Sequence, residues 1–337
     1  MTGVQWVGRT AESPEGEIRL GFPGVTAIVR FNGTWLKWEV DASSVDCYFN
    51  VSIDGKPSRI LRADVGRSTV VLASGLEGDR PHIVRIVRRN ESWQGVVRVL
   101  GVTTDGQLLE APPLPTRKLL FIGDSITCGA AVDHMPPDFP EGAINCDADG
   151  SFGMELSRRL DAQAHLVAYG GRGLVRDYQG WGSDRTLISP VMFERAMPDD
   201  ESSVWNHNRY APDAIIVGVG TNDFAIGIPD EVAWVAAYDA FLTRIREVHP
   251  AAYILITNSP MFSSRIDNGD FAKAAAIGHF LDEIIAKRWH VGDRRVEKSL
   301  FRHQPGSGKN SHPCRPQHQL MADDLEHVIR ARMGWQS

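Results

Sequence analysis

FIGDSITCG, residues 121–129, passes from apolar residues through glycine and aspartate to a serine, then on into residues suited to a helix. With the residues before it, the stretch begins as KLLFIG (118–123), an apolar run of the length of a strand covered on both faces. Asp and Ser are both favoured at helix starts, so a strand, a short turn and a helix follow one another here. Repeated, that succession builds an α/β domain on a parallel sheet. It also lifts Ser125 to the carboxyl end of its strand, the side on which open α/β sheets bind ligands. Taken alone, Gly-Asp-Ser would serve equally well as a helix cap. A nucleophile needs a histidine to take its proton, donors for an oxyanion, and a fold that gathers them.

Downstream the same rhythm continues. Apolar runs AHLVAY (164–169), DAIIVGVG (213–220) and AYILIT (252–257) alternate with helical patterns at 151–162, 231–249, 271–289 and 316–333. Two further loops, GGRG (170–173) and GTND (220–223), fall beyond strands on the same rim as GDS. Upstream the period changes to two. TAIVRF, TWLKWEV, CYFNVSI, STVVLA, HIVRIVRR and GVVRVLGV are rich in β-branched and aromatic residues and predict strands. Asn32-Gly33 and Asp54-Gly55 predict two-residue hairpin turns. Many strands without a helix predict a β-sandwich or jelly roll. EAPPLPTRK (110–118), with three prolines, makes a stiff connection. The expected division is a β-sandwich accessory domain over 1–112 and a three-layer, flavodoxin-like α/β domain over 118–337.

At 337 residues the chain has room for two domains with their own cores. A net charge of −6 and the lack of a long basic run argue against a nucleic-acid partner. No stretch approaches the roughly 18 apolar residues of a membrane span. The amino-terminal residues show no basic segment followed by an apolar one, so a cytoplasmic location is expected, with secretion open if a leader has been removed. The cysteines Cys47, Cys128, Cys146 and Cys314 lie far apart and form no zinc-ligand spacing. No metal or organic cofactor is expected. The sequence leaves open the oligomeric state and whether Cys128 pairs with Cys146.

GDSIT (123–127), YGGRGL (169–174), GTND (220–223) and SHP (311–313) together resemble, in order and spacing, the four blocks of the SGNH or GDSL hydrolases. With GRGLVRDYQG, GTNDF and the β-rich first third, the chain most resembles carbohydrate esterase family two, whose members join an N-terminal jelly roll to an SGNH domain and remove acetyl from polysaccharides. The resemblance implies a serine esterase acting on acetylated carbohydrate, of the xylan or mannan type. Alternatives are an esterase of short acyl or aryl specificity and a degenerate carbohydrate-binding protein.

Physical chemistry assigns roles to the same residues. Ester hydrolysis passes through a tetrahedral intermediate, so the site needs a deprotonated nucleophile and fixed donors around the oxyanion. Ser125 is the expected nucleophile, and its own N–H at a helix start is one donor. The Gly171 N–H and the Asn222 amide are the others, with Gly173 competing for the place of Gly171. Among eleven histidines the resemblance points to His312 as the base, because it precedes Pro313 in a loop before the last helix as the family's HP block does; His318 also matches a family position but falls on that helix and is better suited to packing or to supporting the site. Trp205, Trp181, Phe224 and Asp124 are the substrate-contact candidates, the tryptophans because a sugar ring packs its apolar face on an aromatic one. His207 lies near them.

Many SGNH hydrolases carry an Asp two or three residues before the histidine. Here those places hold Asn310 and Lys309, and no carboxylate stands between Phe301 and His312. The resemblance therefore implies a Ser-His dyad, with a main-chain oxygen, or the Asn310 side chain, on His312 Nδ1.

Overall fold

The computed structural model describes residues 3–134, 142–262, 270–302, 306 and 308–336. Its first part is built from β1 (Val4–Val7), β2 (Thr10–Glu12), β3 (Ile18–Leu20), β4 (Thr26–Asn32), β5 (Leu36–Ala42), β6 (Tyr48–Ile53), β7 (Arg59–Arg62), β8 (Gly66–Ala73), β9 (Pro81–Arg88), β10 (Val97–Thr104) and β11 (Gln107–Leu109). They form two antiparallel sheets, one ordered β1-β4-β9-β6-β7 with β11 beside β4, the other β2-β3-β10-β5-β8. Alternation drives the packing. In β5, Leu36, Trp38, Val40 and Ala42 are buried, while Lys37, Glu39 and Asp41 point away from the core. Trp38 meets Phe49 of the facing sheet edge-on, with ring centroids 5.7 Å apart. This is a jelly-roll sandwich.

Of the two expected hairpins, one forms. Asp54 and Gly55 both have positive φ (51° and 71°), and Lys56 N–H closes the turn on the Ile53 carbonyl at 3.0 Å, between paired strands β6 and β7. Asn32-Gly33 instead carries the chain from β4 to β5, which lie in different sheets. The Asn32 side chain is used elsewhere, its Oδ1 accepting the Gln107 N–H at 2.7 Å.

The second part holds β12 (Arg117–Gly123), β13 (Ala162–Ala168), β14 (Ala214–Gly218), β15 (Tyr253–Ile256) and β16 (Val296–Lys298), all parallel and ordered β13-β12-β14-β15-β16. That is the flavodoxin-like order 2-1-3-4-5. The helices are α1 (Ser125–Cys128), α2 (Phe152–Arg159), α3 (Ser189–Phe193), α4 (Glu231–Val248), α5 (Phe271–His290) and α6 (Arg315–Met333). Successive residues of β12 serve opposite faces. Leu120 and Ile122 pack with residues of α4 and α5, whereas Leu119 and Phe121 pack with residues of α2 and α6. Both faces are covered, which is why the strand reads as an unbroken apolar run.

The two parts share a core. One apolar cluster runs from Val29 and Trp38 in the sandwich to Val167, Tyr169 and Phe193 in the α/β domain. Buried polar groups tie the same interface. Arg9 donates to the carbonyls of Phe193 and Arg195 at 2.6 and 2.9 Å, Asn50 to Asp147 at 2.8 Å, and Arg89 to Asp133 at 2.6 Å. A buried guanidinium without partners would cost several kcal/mol, on the order of 3 to 5. These cations therefore hold the domains in one relative placement.

Candidate active site

β12 delivers Ser125 to the rim through a turn that leaves no space for side chains. A Cβ on Gly123 would lie 2.1 Å from Thr127 Oγ1, so only glycine allows the helix to start this close to the strand. Asp124 is the helix N-cap, its Oδ1 accepting the Ile126 N–H at 3.0 Å. Among the described residues no acceptor takes the Ser125 N–H.

His312 reaches the serine from the loop ahead of α6. Its Nε2 lies 2.7 Å from Ser125 Oγ, and its Nδ1 lies 2.9 Å from the Lys309 carbonyl oxygen. The backbone explains the second contact. Asn310 and Ser311 both adopt left-handed conformations, with φ 55° and 64°, and fold the chain so that the Lys309 carbonyl returns to the imidazole. That carbonyl also accepts the His312 backbone N–H at 3.1 Å. A carbonyl can only accept, so Nδ1 carries the hydrogen and Nε2 offers its lone pair to the serine hydroxyl. Burial lowers the histidine's pKa below its ordinary value, and the hydrogen bond to Lys309 works against that shift. The imidazole is accordingly neutral near pH 7.

Gly171, at φ 75°, stands on the loop after β13, and no acceptor among the described residues takes its N–H. The loop around it is held at several points. Tyr178 N–H donates to the Gly171 carbonyl at 3.0 Å, and Ser189 N–H to the Gly173 carbonyl at 2.9 Å. Asn222 Nδ2 donates to the Arg172 carbonyl at 3.0 Å and, at 3.3 Å, to Asp124 Oδ2. Gly173 is buried against Asp223, whose Oδ2 would lie 2.2 Å from a Cβ there, whereas Gly171 is half-buried.

Two carboxylates organise the site from behind. Asp223, the last residue of GTND, accepts N–H bonds from Leu174, Val175 and Arg176 at 2.7, 2.8 and 3.2 Å. Burial raises its pKa, and these three donors oppose the shift. Asp124 is pushed up to about 7, chiefly by burial. Sequence reasoning missed Asp223, although its fixed place beside Asn222 was a usable signal. It also missed the reach of Glu91, a sandwich residue whose Oε2 accepts the N–H of Gly170 and which gives no local sign of that destination.

Three of the substrate-contact candidates need correction. Asp124 is fully buried and caps the helix, so it positions Ser125 and touches no substrate. Trp205 is 4% exposed, with the guanidinium carbons of Arg9 and Arg209 at 5.0 and 4.8 Å from its ring. Phe224 is fully buried among Trp234, Phe262 and Phe280. Trp181 is 47% exposed. Tyr178, on the same loop and 52% exposed, lies against Gly171, its Cδ1 being 2.9 Å from where a Cβ would stand. His318 is buried, stacks on Phe152 and accepts its N–H at 3.0 Å; His207 pairs with Glu194 at 3.1 Å. Cys128 and Cys146 are free thiols.

Ser125 is hydrogen-bonded to a neutral imidazole, and its N–H and that of Gly171 meet no acceptor among the described residues, an arrangement that can move a hydroxyl proton and offer donors to an oxyanion. Known proteins share this architecture. Residues 6–113 match the carbohydrate esterase 2 N-terminal family, and residues 121–293 match the GDSL-like lipase/acylhydrolase family. An acetylxylan esterase / glucomannan deacetylase of Cellvibrio japonicus is 34% identical, over 98% of this chain and 89% of its own length. A family two carbohydrate esterase structure from Cellvibrio japonicus superposes with a TM-score of 0.90 at 34% identity, covering 99% of this chain and 96% of that one. One from Clostridium thermocellum, in complex with cellohexaose, also gives 0.90, at 27% identity over 99% and 100% of the two chains.

Proposed function

This chain belongs to carbohydrate esterase family two and is a carboxylic ester hydrolase, and from that premise we propose that it removes acetyl groups from acetylated oligo- or polysaccharide, with Ser125 as nucleophile and His312 as base. Ser125 Oγ attacks the acetyl carbonyl carbon while its proton passes to His312 Nε2. The negative charge that develops on the carbonyl oxygen is met by the N–H groups of Ser125 and Gly171 and by the Asn222 amide. Collapse breaks the bond to the sugar oxygen, which takes the proton from Nε2 and leaves acetyl on Ser125. Water then gives a proton to Nε2 and attacks the acetyl carbon; the bond to Ser125 Oγ breaks, Oγ takes that proton back from Nε2, and the acetic acid formed departs and loses its proton to solvent. Throughout, the Lys309 carbonyl keeps Nδ1 protonated and the ring aimed at the serine.

The observation that carries this reading is the 2.7 Å contact of Ser125 with His312, whose other nitrogen is held at 2.9 Å by a carbonyl. The carbohydrate assignment is supported by Tyr178 and Trp181, exposed on the loop that follows Gly171, and by the likeness to the acetylxylan esterase / glucomannan deacetylase of Cellvibrio japonicus. Acetate release measured across acetylated mono-, oligo- and polysaccharides, with a small aryl acetate beside them, tests it. Turnover of the acetylated saccharides is expected. Hydrolysis of the aryl ester alone would leave an esterase of another specificity, and hydrolysis of neither would leave a binding protein.

A further inference from the structure

Glu91 comes from the accessory domain and ends in the wall of the active site. It follows β9 and caps a turn over Ser92–Gln94, where Gln94 Oε1 accepts its backbone N–H at 3.2 Å. The residue is buried, and its Oε2 accepts the N–H of Gly170, the residue immediately before Gly171. A Cβ on Gly170 would lie 3.0 Å from both carboxylate oxygens, so the carboxylate rests directly on the backbone there. Burial raises the carboxyl's pKa, and the Gly170 N–H opposes that shift.

Other anchors of this loop come from the α/β domain: Tyr169 N–H donates to the Gly123 carbonyl at 3.3 Å and Arg172 N–H to the Tyr169 carbonyl at 3.4 Å, Tyr178 holds the Gly171 carbonyl, Asn222 the Arg172 carbonyl and Ser189 the Gly173 carbonyl, and Asp223 accepts from residues 174–176. Among these bonds, the one on the Gly170 N–H comes from the other domain. The Gly171 N–H belongs to the peptide that joins it to Gly170, and neither residue has a Cβ to restrict that peptide's rotation, so its direction depends on how the Gly170 amide before it and the Gly171 carbonyl after it are held. An oxyanion donor works only when it is aimed in advance.

We infer that Glu91 is a positioning residue for the oxyanion hole: by holding the Gly170 amide it aims the Gly171 N–H at the developing oxyanion. The inference rests on the reading of Gly171 as an oxyanion donor given above. It gives the sandwich a part in the chemistry, beyond the substrate access that the placement of every nucleophile and donor candidate after residue 117 would predict.

The test uses the full chain with Glu91→Ala, Glu91→Gln, Gly170→Ala and the Glu91→Ala/Gly170→Ala double variant, assayed on a small aryl acetate and an acetylated oligosaccharide. Misplacement of one group by about 1 Å costs up to about 10²-fold, so Glu91→Ala should lower kcat by roughly 10- to 100-fold with KM little changed. Glutamine keeps an oxygen that can accept the Gly170 N–H, and Glu91→Gln should recover most of the loss. Gly170→Ala displaces the carboxylate and should lower kcat alone, yet add nothing on top of Glu91→Ala, because both act through one contact. Unchanged kcat in a folded Glu91→Ala protein, or glutamine as poor as alanine, overturns the inference. If the alanine variant does not fold, full kcat in Gly170→Ala overturns it. A wild-type protein that hydrolyses no ester and takes no serine-directed phosphonate on Ser125 would sink the proposed function instead, so the two failures are told apart.

Discussion

Replacing Asn222 with alanine tests the oxyanion hole by removing one donor whose geometry is fixed on both sides. At rest its Nδ2 hydrogens point to the Arg172 carbonyl at 3.0 Å and to Asp124 Oδ2 at 3.3 Å. The longer bond is the one that substrate can draw away. A single oxyanion donor is worth about 2.7 to 4 kcal/mol in the transition state, and giving up a weak resting hydrogen bond offsets about 1 of that. The net loss is about 2 to 3 kcal/mol, or roughly 30- to 200-fold in kcat. KM should move little, since the donor matters most once charge has developed. Folding stability should fall by about 1 to 3 kcal/mol, because the part-buried Arg172 carbonyl and the buried Asp124 carboxyl lose a partner. Steady-state kinetics on an aryl acetate and on acetylated oligosaccharide, with a denaturation curve for each protein, give both numbers. Asn222→Asp, equal in shape but without the donors, should lose more. Wild-type kcat in a folded Asn222→Ala protein would refute the reasoning and leave Asn222 as a strut for the loop.

A base held by a carbonyl and disfavoured as imidazolium by burial should stay neutral into mild acid. The acid limb of kcat/KM is therefore expected to bend below the ordinary histidine value of about 6.5, activity being retained above the bend and lost as pH falls through it. A bend above pH 7 would require a carboxylate on Nδ1. The aromatic residues should divide by burial. Trp181→Ala and Tyr178→Ala should raise KM for acetylated oligosaccharides by about 2- to 10-fold and leave a small aryl ester almost unaffected, whereas Trp205→Ala should cost about 3 to 5 kcal/mol of stability with little specific effect on KM. Equal KM effects from Trp181 and Trp205 would contradict that division.

The sequence shows most where one local rule suffices. Period-two alternation marks six of the sandwich strands, and unbroken apolar runs mark four of the parallel ones. β16 has three residues, too few for any period to show. Asn32-Gly33 has the chemistry of a hairpin turn, yet its flanking strands join different sheets, a choice made by tertiary packing. In the site, motif spacing points to Ser125, Asn222 and His312, because each sits at a strand end or a helix start that the sequence itself marks. Trp205 and Phe224 occupy the same loops, and only burial separates them from Trp181. Residues that act through the backbone leave no local signal. The Lys309 carbonyl is common to any residue type, and the reach of Glu91 to Gly170 depends on how two domains dock.

The account turns on a covalent intermediate at Ser125, and trapping that residue tests it most directly. The protein is treated with a serine-directed phosphonate and mapped by peptide mass spectrometry, with Ser125→Ala assayed in parallel. The predicted result is a single adduct on Ser125, and for the alanine variant a folded protein whose esterase turnover is lower by on the order of 10⁴-fold or more. An adduct on another residue, or wild-type turnover by Ser125→Ala, would contradict the account.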